Sequence, residues 1–261
     1  MTDRLFWTIG AVAEDIAALL RDCATPDAPI PGAEWTVAEA AAHLALANEL
    51  MADLAAGAQR PYGDGTPGGL AAANAASLAA WPERDAGRLA DAVLAHARAF
   101  TAAAGQRPPE TPVVTPMGSM DLATLGSYLL THMLGHGWDL ARALRRPHMM
   151  DRQRVELCLP FLLLAMPRVV DTEAVHGLTA RYTIGLRGGR RFGAVFDDGR
   201  LSVHEQPLPR PDCTIITEPV SFLLMALGRR GPWSALARGA VLAWGPKPWL
   251  APRFPLCFRA P

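Results

Sequence analysis

The sequence predicts a two-domain protein in which a bundle of four long helical units precedes a smaller α+β domain. The first part of the chain contains long stretches with apolar residues at helical spacing, separated by loops rich in proline and glycine. After about residue 170 the chain becomes rich in β-branched and aromatic residues, with Gly-Gly and Asp-Asp-Gly at the spacing of hairpin turns. A chain of 261 residues, half of them apolar, is long enough to bury one large core or two modest ones.

The first two helical units have clear end signals. Residues 4–24 are predicted to form a helix that stops before "ATPDAPIPG", because three prolines in six residues cannot continue it. The second unit begins at Thr36, which has the T-x-x-E spacing of a capping box with Glu39, and it ends before Gly57. Trp35 precedes this cap and is expected to pack on the first turn of the helix.

The third and fourth units each follow a loop rich in proline and glycine. The loop over 58–69 leads into a third unit that is split at Pro82, and a second loop over 106–120 leads to Asp121. Asp121 is a plausible N-cap for the fourth unit, a helix that runs as far as Pro147. Four such units favour a helix bundle, in which sites are built from side chains on facing helices.

The second half of the chain is predicted to be α+β. Residues 180–206 are expected to form three antiparallel strands, "DCTIITE" a fourth, and residues 219–230 an apolar helix. A helical segment joins the two halves, and its sequence is compatible with packing against either of them. The predicted boundaries are 1–150 for the bundle, 151–170 for the helical linker and 171–261 for the α+β domain.

Composition excludes several classes of partner. The 25 basic residues balance 25 acidic ones and are spread among them, so no nucleic-acid surface is predicted. The N-terminal stretch lacks the continuous apolar core of a signal peptide, and the longest apolar run is about half the roughly 20 residues that span a bilayer. The four cysteines form no CxxC pair. We therefore expect a cytoplasmic protein, monomeric or homodimeric, without a membrane or nucleic-acid partner.

Three histidines are the candidates for a metal site. His132 and His136 lie four residues apart in "HMLGHGWDLAR", which places them on one face of a helix, and Asp139 follows one turn later. His43 lies in an apolar stretch of the second helix, where a buried imidazole needs a partner. Each histidine is also compatible with an ordinary solvated or hydrogen-bonded role, so the metal hypothesis depends on combining all three.

The two histidine segments resemble a known family. "WTVAEAAAHLA" and "HMLGHGWDLARAL" together resemble the mycothiol-dependent maleylpyruvate isomerase family. This resemblance implies a DinB-like four-helix bundle that holds a divalent metal, followed by a sterol-carrier-like α+β domain. The stretch "DCTIITEPVSFLLMALGRRGPWSALARGAVLAWG" is similar to that second domain, so the resemblance covers nearly the whole chain.

The resemblance implies a ligand set with one departure. His43 matches the first metal ligand of the family and His136 the last, and Asp139 matches the acidic residue that follows. His132 occupies a position where isomerase members usually have glutamate, whereas other DinB-like proteins use three histidines. Three neutral imidazoles leave the site one negative charge poorer, which makes the ion a stronger Lewis acid. Histidine ligands suit zinc, with nickel as the alternative.

The resemblance also implies two residues with catalytic roles. Asp139 is expected to orient His136 or to act as a local acid or base, the alternative being a surface ion pair with Arg142 or Arg145. In the isomerase family an arginine from the second domain reaches the active site, and Arg229 is the candidate for binding a substrate carboxylate. The alternatives to Arg229 are two later arginines, Arg238 and Arg253.

The favoured function is that of a metal-dependent enzyme that activates a low-molecular-weight thiol. The thiol implied by the family is mycothiol, acting as co-substrate for S-transfer to, or isomerisation of, an electrophilic small metabolite. A divalent cation suits this role because it stabilises the thiolate form of a thiol. Two alternatives stay open: a thiol-independent metal enzyme of secondary metabolism, and a non-catalytic protein that binds a small molecule or lipid.

Overall fold

The computed structural model describes residues 2–64 and 67–259. Two positions of the loop predicted over 58–69, Gly65 and Thr66, lie outside the described residues. Contacts divide the chain into two compact units, Met1–Met150 and Asp151–Pro261. No helix in the described part of the chain combines the length and the apolar character that crossing a bilayer requires.

The first unit has the predicted helical architecture. Four of its helices pack as a bundle, in which α1 and α2 each contact α4 and α5, while α3 lies against α2. The predicted third unit corresponds to α3 and α4, which the segment around Pro82 separates. The helices are α1 (Thr2–Arg21), α2 (Val37–Ala56), α3 (Leu70–Ala80), α4 (Ala86–Ala104) and α5 (Leu122–Ala143).

The start of α2 is fixed by the capping box that the sequence predicts. The backbone N–H of Glu39 donates to Thr36 Oγ1 at 3.2 Å, and the backbone N–H of Thr36 donates to Glu39 Oε2 at 2.8 Å. Both groups would otherwise lack an intrahelical partner, so each bond stabilises the first turn. At the other end Gly57 adopts φ +94°, and its N–H closes the helix on the carbonyls of Asp53 and Leu54.

Close approach of α1 and α5 depends on two glycines of α5. A Cβ at Gly126 would lie 3.0 Å from Leu5 Cδ2, and a Cβ at Gly137 would lie 3.2 Å from Ile16 Cγ1. A Cβ at Gly137 would also lie 2.5 Å from Met149 Sδ. The face of α5 that carries Gly126 and Gly137 therefore packs against α1, whereas His132 lies on another face of α5.

The prediction of a loop over 106–120 is partly wrong, because the second half of this segment forms a β-hairpin that ends at Asp121. Strand β1 (Pro112–Thr115) pairs antiparallel with β2 (Gly118–Asp121), with Val113 opposite Met120. Gly118 supplies the positive φ of the turn, and Thr115 Oγ1 donates to its carbonyl at 2.8 Å. Buried and exposed residues alternate along β1, as expected for a strand. The prolines at and next to its ends obscure this alternation in the sequence. Helices α1 and α5 also end about three residues earlier than predicted.

The second unit is α+β, as predicted. Helix α6 (Arg152–Ala165) begins it and continues through Pro160, and contacts group this helix with the second unit. The three antiparallel strands and the fourth strand are present, whereas the last strand was not predicted. The remaining elements are β3 (Ala180–Leu186), β4 (Arg191–Asp197), β5 (Arg200–His204), β6 (Cys213–Thr217), α7 (Pro219–Ala226), α8 (Pro232–Ala237) and β7 (Val241–Trp244).

These strands form one mixed sheet in the order β5-β4-β3-β6-β7. The pair β3 and β6 is parallel, and the other neighbours are antiparallel. One face of the sheet carries an aromatic core in which Tyr182, Phe196 and Phe254 contact one another. Strand β6 is an interior strand, because β3 pairs with one of its sides and β7 with the other.

We expect Thr36→Ala to lower the free energy of unfolding by about 1 kcal/mol, because the first turn of α2 loses its side-chain cap. Equilibrium urea denaturation measures the change. Thr172→Ala, at an exposed position of the second unit, is the control and should have no measurable effect. Equal effects of the two substitutions would contradict the role of the cap.

The same cap should make stability depend on pH. The backbone N–H of Thr36, followed by its side chain, lowers the pKa of Glu39 below the ordinary value of 4.5. A lowered folded-state pKa gives stability that is complete above the unfolded pKa and is lost as the pH falls through the folded value. Glu39→Gln should therefore flatten the acid limb of the stability curve, as followed by thermal denaturation from pH 7 to pH 3.

Candidate metal centre

Two capped helices supply the three histidines of the candidate site. His43 lies two turns after the Thr36 cap and is buried, with 6% of its surface exposed. Helix α5 starts at Asp121, whose carboxylate accepts a hydrogen bond from the backbone N–H of Thr124 at 2.7 Å. His132 and His136 follow on this helix one turn apart, and both are half-buried. The site is therefore built between α2 and α5.

The three imidazoles converge on one point. The Nε2 atoms of His43 and His132 lie 3.1 Å apart, and the three ring centroids are separated by 4.6 to 5.0 Å. One nitrogen from each ring lies within 4.8 Å of the other two. Tetrahedral zinc at about 2.05 Å from each nitrogen needs nitrogens about 3.3 Å apart. One pair of nitrogens is close to that spacing, and the donor atoms of all three residues lie within 4.8 Å of one another, so the residues fit a metal ion.

Asp139 lies beside the triad rather than on the surface. It is 8% exposed, and its Oδ2 atom is 3.4 Å from Nδ1 of His136. A carboxylate at this nitrogen favours its protonation and leaves Nε2 as the ligand atom. Arg142, the alternative partner, instead stacks over Trp138 with its guanidinium carbon 5.2 Å from the ring centroid. The position of Asp139 suits orientation of His136, and its catalytic role stays a prediction.

Trp35 forms a wall of the site that sequence reasoning missed. Its ring centroid lies 4.8 Å from that of His43 and 6.0 Å from that of His136. The sequence predicted only that Trp35 packs on the start of α2. The sequence signal for the contact with His43 is that Trp35 immediately precedes the cap, about two turns ahead of His43. Met133, next to His132, is fully buried and packs in the core.

The site opens to solvent along one line of α5. Tyr128, His132 and His136 are half-buried at successive four-residue intervals, whereas the residues directly flanking each histidine are buried. On α2, Ala47 follows His43 by four residues and is also half-buried. Residues four apart lie on one face of a helix. The opening therefore runs along the histidine face of both helices, with His43 at its base.

Arg229 lies in the second unit, just after α7. It is half-buried, and its Nη1 atom donates to the carbonyl of Leu227 at 2.6 Å. The two alternative arginines, Arg238 and Arg253, are exposed in the same unit. Of the predicted site residues, the three histidines and Asp139 are brought together, and all four lie in the first unit. The role of Arg229 at the metal centre stays a prediction.

The family model for the mycothiol maleylpyruvate isomerase N-terminal domain matches residues 9–141, just over half of the chain. The chain belongs to this family. The match spans α2 and α5 with all three histidines, so the resemblance of the histidine segments is confirmed. No curated protein matches the sequence of this family member.

One solved structure supports the fold. This family member is similar to a mutant of the mycothiol-dependent maleylpyruvate isomerase, with a TM-score of 0.51 and 12% identity over 93% of this chain and 92% of that one. A second structure of that isomerase gives a TM-score of 0.49 at the same identity and coverage. At this identity the likeness shows the fold alone.

A stereoselective inverting sec-alkylsulfatase from Pseudomonas sp. is also similar in part. The TM-score is 0.35 at 15% identity, over 53% of this chain and 25% of that one. The chain thus spans about a quarter of the length of the sulfatase, and this likeness carries no conclusion about activity.

We expect His43→Ala, His132→Ala and His136→Ala each to lose most of the bound metal, because a site with three protein ligands tolerates loss of one poorly. Metal analysis after gel filtration of reconstituted protein measures the content. His176→Ala, at an exposed histidine of the second unit, should retain the full amount. Full occupancy in any of the three variants would exclude that residue as a ligand.

Asp139→Asn should weaken metal affinity by about 10- to 100-fold while leaving one ion per chain at saturation. The reason is that the amide no longer draws the proton of His136 to Nδ1. A competition titration with a chromogenic chelator measures the affinity. An unchanged affinity would contradict the role of Asp139 in orienting His136.

Proposed function

We propose that this protein is a metal-dependent enzyme that activates mycothiol for reaction with an electrophilic small metabolite. The ligands are His43, His132 and His136, and the ion is zinc, with nickel as the alternative. The observation that carries the proposal is the convergence of three imidazoles from two helices in a chain of the mycothiol isomerase family. The reaction is either S-transfer or thiol-assisted isomerisation.

The donor set explains why a thiol suits this site. A divalent ion held by His43, His132 and His136 would supply the charge that favours the thiolate over the thiol, whose ordinary pKa is about 8.5. Asp139 holds a proton at Nδ1 of His136 and fixes the direction of that ring. Trp35 covers the side of His43 and His136 and excludes water there.

The two reaction outcomes share their first step. The thiolate sulfur forms a bond to an electrophilic carbon, and the electron pair of the attacked double bond moves to an adjacent carbonyl group. In transfer, a proton is then taken up and the thioether is the product. In isomerisation, rotation about the new single bond is followed by loss of the thiolate, which regenerates the double bond and the free co-substrate.

His132 bears on the choice between S-transfer and isomerisation. Where isomerase members usually have glutamate, this chain has a neutral imidazole, so a bound ion would lack that negative charge among its ligands, with the carboxylate of Asp139 nearby. A more positive site binds an anionic thiolate more strongly and releases it more slowly. This favours S-transfer over rapid thiol cycling, and it leaves thiol-independent catalysis as the competing function.

The second unit completes the proposal. Arg229 is proposed to bind a substrate carboxylate, because a guanidinium donates two parallel hydrogen bonds to that group. The unit itself is proposed to be a sterol-carrier-like domain, and the alternative to catalysis is that it binds a lipid-like ligand. The proposed location is the cytoplasm, where a small thiol stays reduced.

We expect zinc-loaded protein to consume maleylpyruvate, or a related activated alkene, only when mycothiol is present. Chromatography should resolve a mycothiol thioether from an isomerised product, which distinguishes transfer from isomerisation. His43→Ala should lose at least about 100-fold in turnover, and His176→Ala should lose none. His132→Glu restores the ligand usual in isomerase members, so it should shift the products towards isomerisation.

Equal turnover with and without mycothiol would contradict the thiol proposal and support thiol-independent catalysis. Stoichiometric binding of a ligand without turnover, unchanged in His43→Ala, would support the binding-protein alternative.

A further inference from the structure

The sheet of the second unit has two edge strands whose side chains differ. Strand β5 exposes Arg200, Ser202 and His204 along one edge. Strand β7, at the other edge, exposes Leu242 and Trp244, with 53% and 49% of their surfaces accessible. Charged and polar side chains discourage an edge strand from pairing with another chain, whereas an apolar edge favours such pairing. Strand β7 is therefore the edge that suits a partner strand.

The outer side of β7 presents backbone groups that suit a partner strand. In an antiparallel pair, successive residues direct their N–H and C=O groups alternately towards the neighbouring strand and away from it. The backbone N–H of Glu218, which follows β6, donates to the carbonyl of Ala240 at 2.7 Å, so every second residue from Ala240 onwards faces β6. Val241 and Ala243 therefore direct their N–H and C=O groups away from the sheet. In the described part of the chain, no hydrogen bond from outside the sheet occupies these groups.

A second copy of β7 satisfies all of these outward groups in one antiparallel register. When Leu242 lies opposite Leu242 of the second copy, Val241 of each copy lies opposite Ala243 of the other. Both residues of such a pair direct their backbone groups towards the other strand, so each pair exchanges two hydrogen bonds. The same register repeats every contact across a two-fold axis, as a symmetric dimer interface requires.

The side chains on the exposed face of β7 also complement themselves in this register. Leu242 meets its counterpart at the two-fold axis. Trp244 of one copy lies opposite Ala240 of the other, so a large side chain meets a small one. Trp244 is also diagonal to Leu242 of the second copy, which is a separation that an aromatic side chain spans. The two copies therefore bury an apolar cluster centred on the axis.

The charges around β7 do not oppose this pairing. Val241–Trp244 contains no charged side chain. Lys247, three residues beyond the strand, is paired with Asp212 Oδ1 at 2.9 Å. Arg238, three residues before the strand, is exposed, and antiparallel pairing brings it towards the end of the partner strand that carries this ion pair. Repulsion between Arg238 and Lys247 of the second copy is therefore offset by the carboxylate of Asp212.

The exposed apolar area near β7 matches what a specific dimer needs. Of the seven large apolar side chains that are exposed in the described part of the chain, four lie between residues 233 and 249, namely Trp233, Leu242, Trp244 and Trp249. Trp233 belongs to α8, which contacts β7, and Trp249 follows the strand by five residues. At about 250 Å² for a fully exposed tryptophan, this set offers on the order of 500 Å² per copy. Two copies together reach the roughly 1,000 Å² at which a specific interface begins.

We propose that β7 forms the interface of a homodimer, in which it pairs antiparallel with β7 of a second copy and joins the two sheets edge to edge. A second copy is favoured over an unrelated strand because its backbone groups and its side chains match those of β7 under one two-fold axis. The proposal concerns the second unit alone and is independent of the chemistry at the histidines, which lie in the first unit.

The test measures the mass of the full-length protein by sedimentation equilibrium over a wide range of concentration. Parent protein should be a dimer that dissociates on dilution. Leu242→Glu places two like charges at the two-fold axis, so it should weaken dimerisation by at least about 100-fold. Ala243→Pro removes an N–H that faces solvent in the monomer, which an edge strand tolerates, and should weaken dimerisation by at least about tenfold.

Charge reversal separates loss of pairing from loss of fold. Leu242→Arg alone should also be monomeric, whereas an equal mixture of Leu242→Glu and Leu242→Arg chains should regain the dimer, because opposite charges then face each other across the axis. Ser202→Glu, at an exposed position of the other edge strand, is the matched control and should dimerise as the parent does.

A dimer that is lost in both charged variants and restored in their mixture supports the proposal. Parent protein that stays monomeric at every concentration overturns it and leaves β7 as an edge suited to an extended segment of another protein. A dimer that neither Leu242→Glu nor Ala243→Pro weakens overturns it in favour of a different interface. A mixture that remains monomeric overturns the two-fold pairing.

Discussion

Everything at the candidate site depends on the fixed register of two helix starts. Thr36 and Asp121 cap α2 and α5 through their side chains, so each helix begins at a defined residue. A slip of one residue would rotate a side chain by about 100° and turn an imidazole away from the opening. His43 and His132 approach to 3.1 Å only because both registers are held.

Convergence of the histidines conflicts with the stability of the bundle core. His43 is buried among apolar side chains of α2, where an imidazole is more costly than the alanines around it. The carboxylate of Asp139 adds a second polar group at low exposure. A core tolerates such a cluster when the groups satisfy one another or a ligand, and a ligand bound only by the folded state adds its binding free energy to stability. The stability of the bundle and occupancy of the site are thus linked.

Local signals predicted the two helices that carry the three histidines, whereas elements that depend on non-local pairing were missed. The T-x-x-E box and the four-residue histidine spacing are contained within one or two helical turns, so the sequence shows them directly. The sequence predicts a loop before Asp121, because prolines obscure the alternation of buried and exposed residues in β1, which pairs with β2. Strand β7 was not predicted, because it becomes a strand through its pairing with β6. The sequence predicted Trp35 on the first turn of α2, but its contact with His136 of α5 depends on how the two helices pack.

The sequence by itself determined the fold class, the register of α2 and α5, and the set of residues able to bind a metal. Tertiary structure alone decided that His43 and His132, 89 residues apart, lie within contact distance, and that Asp139 is buried beside His136 instead of paired at the surface. It also placed the ring of Trp35 against the rings of His43 and His136. The physical reason is that helical periodicity fixes the direction of each side chain on its own helix, whereas distances between helices are set by how their apolar faces pack.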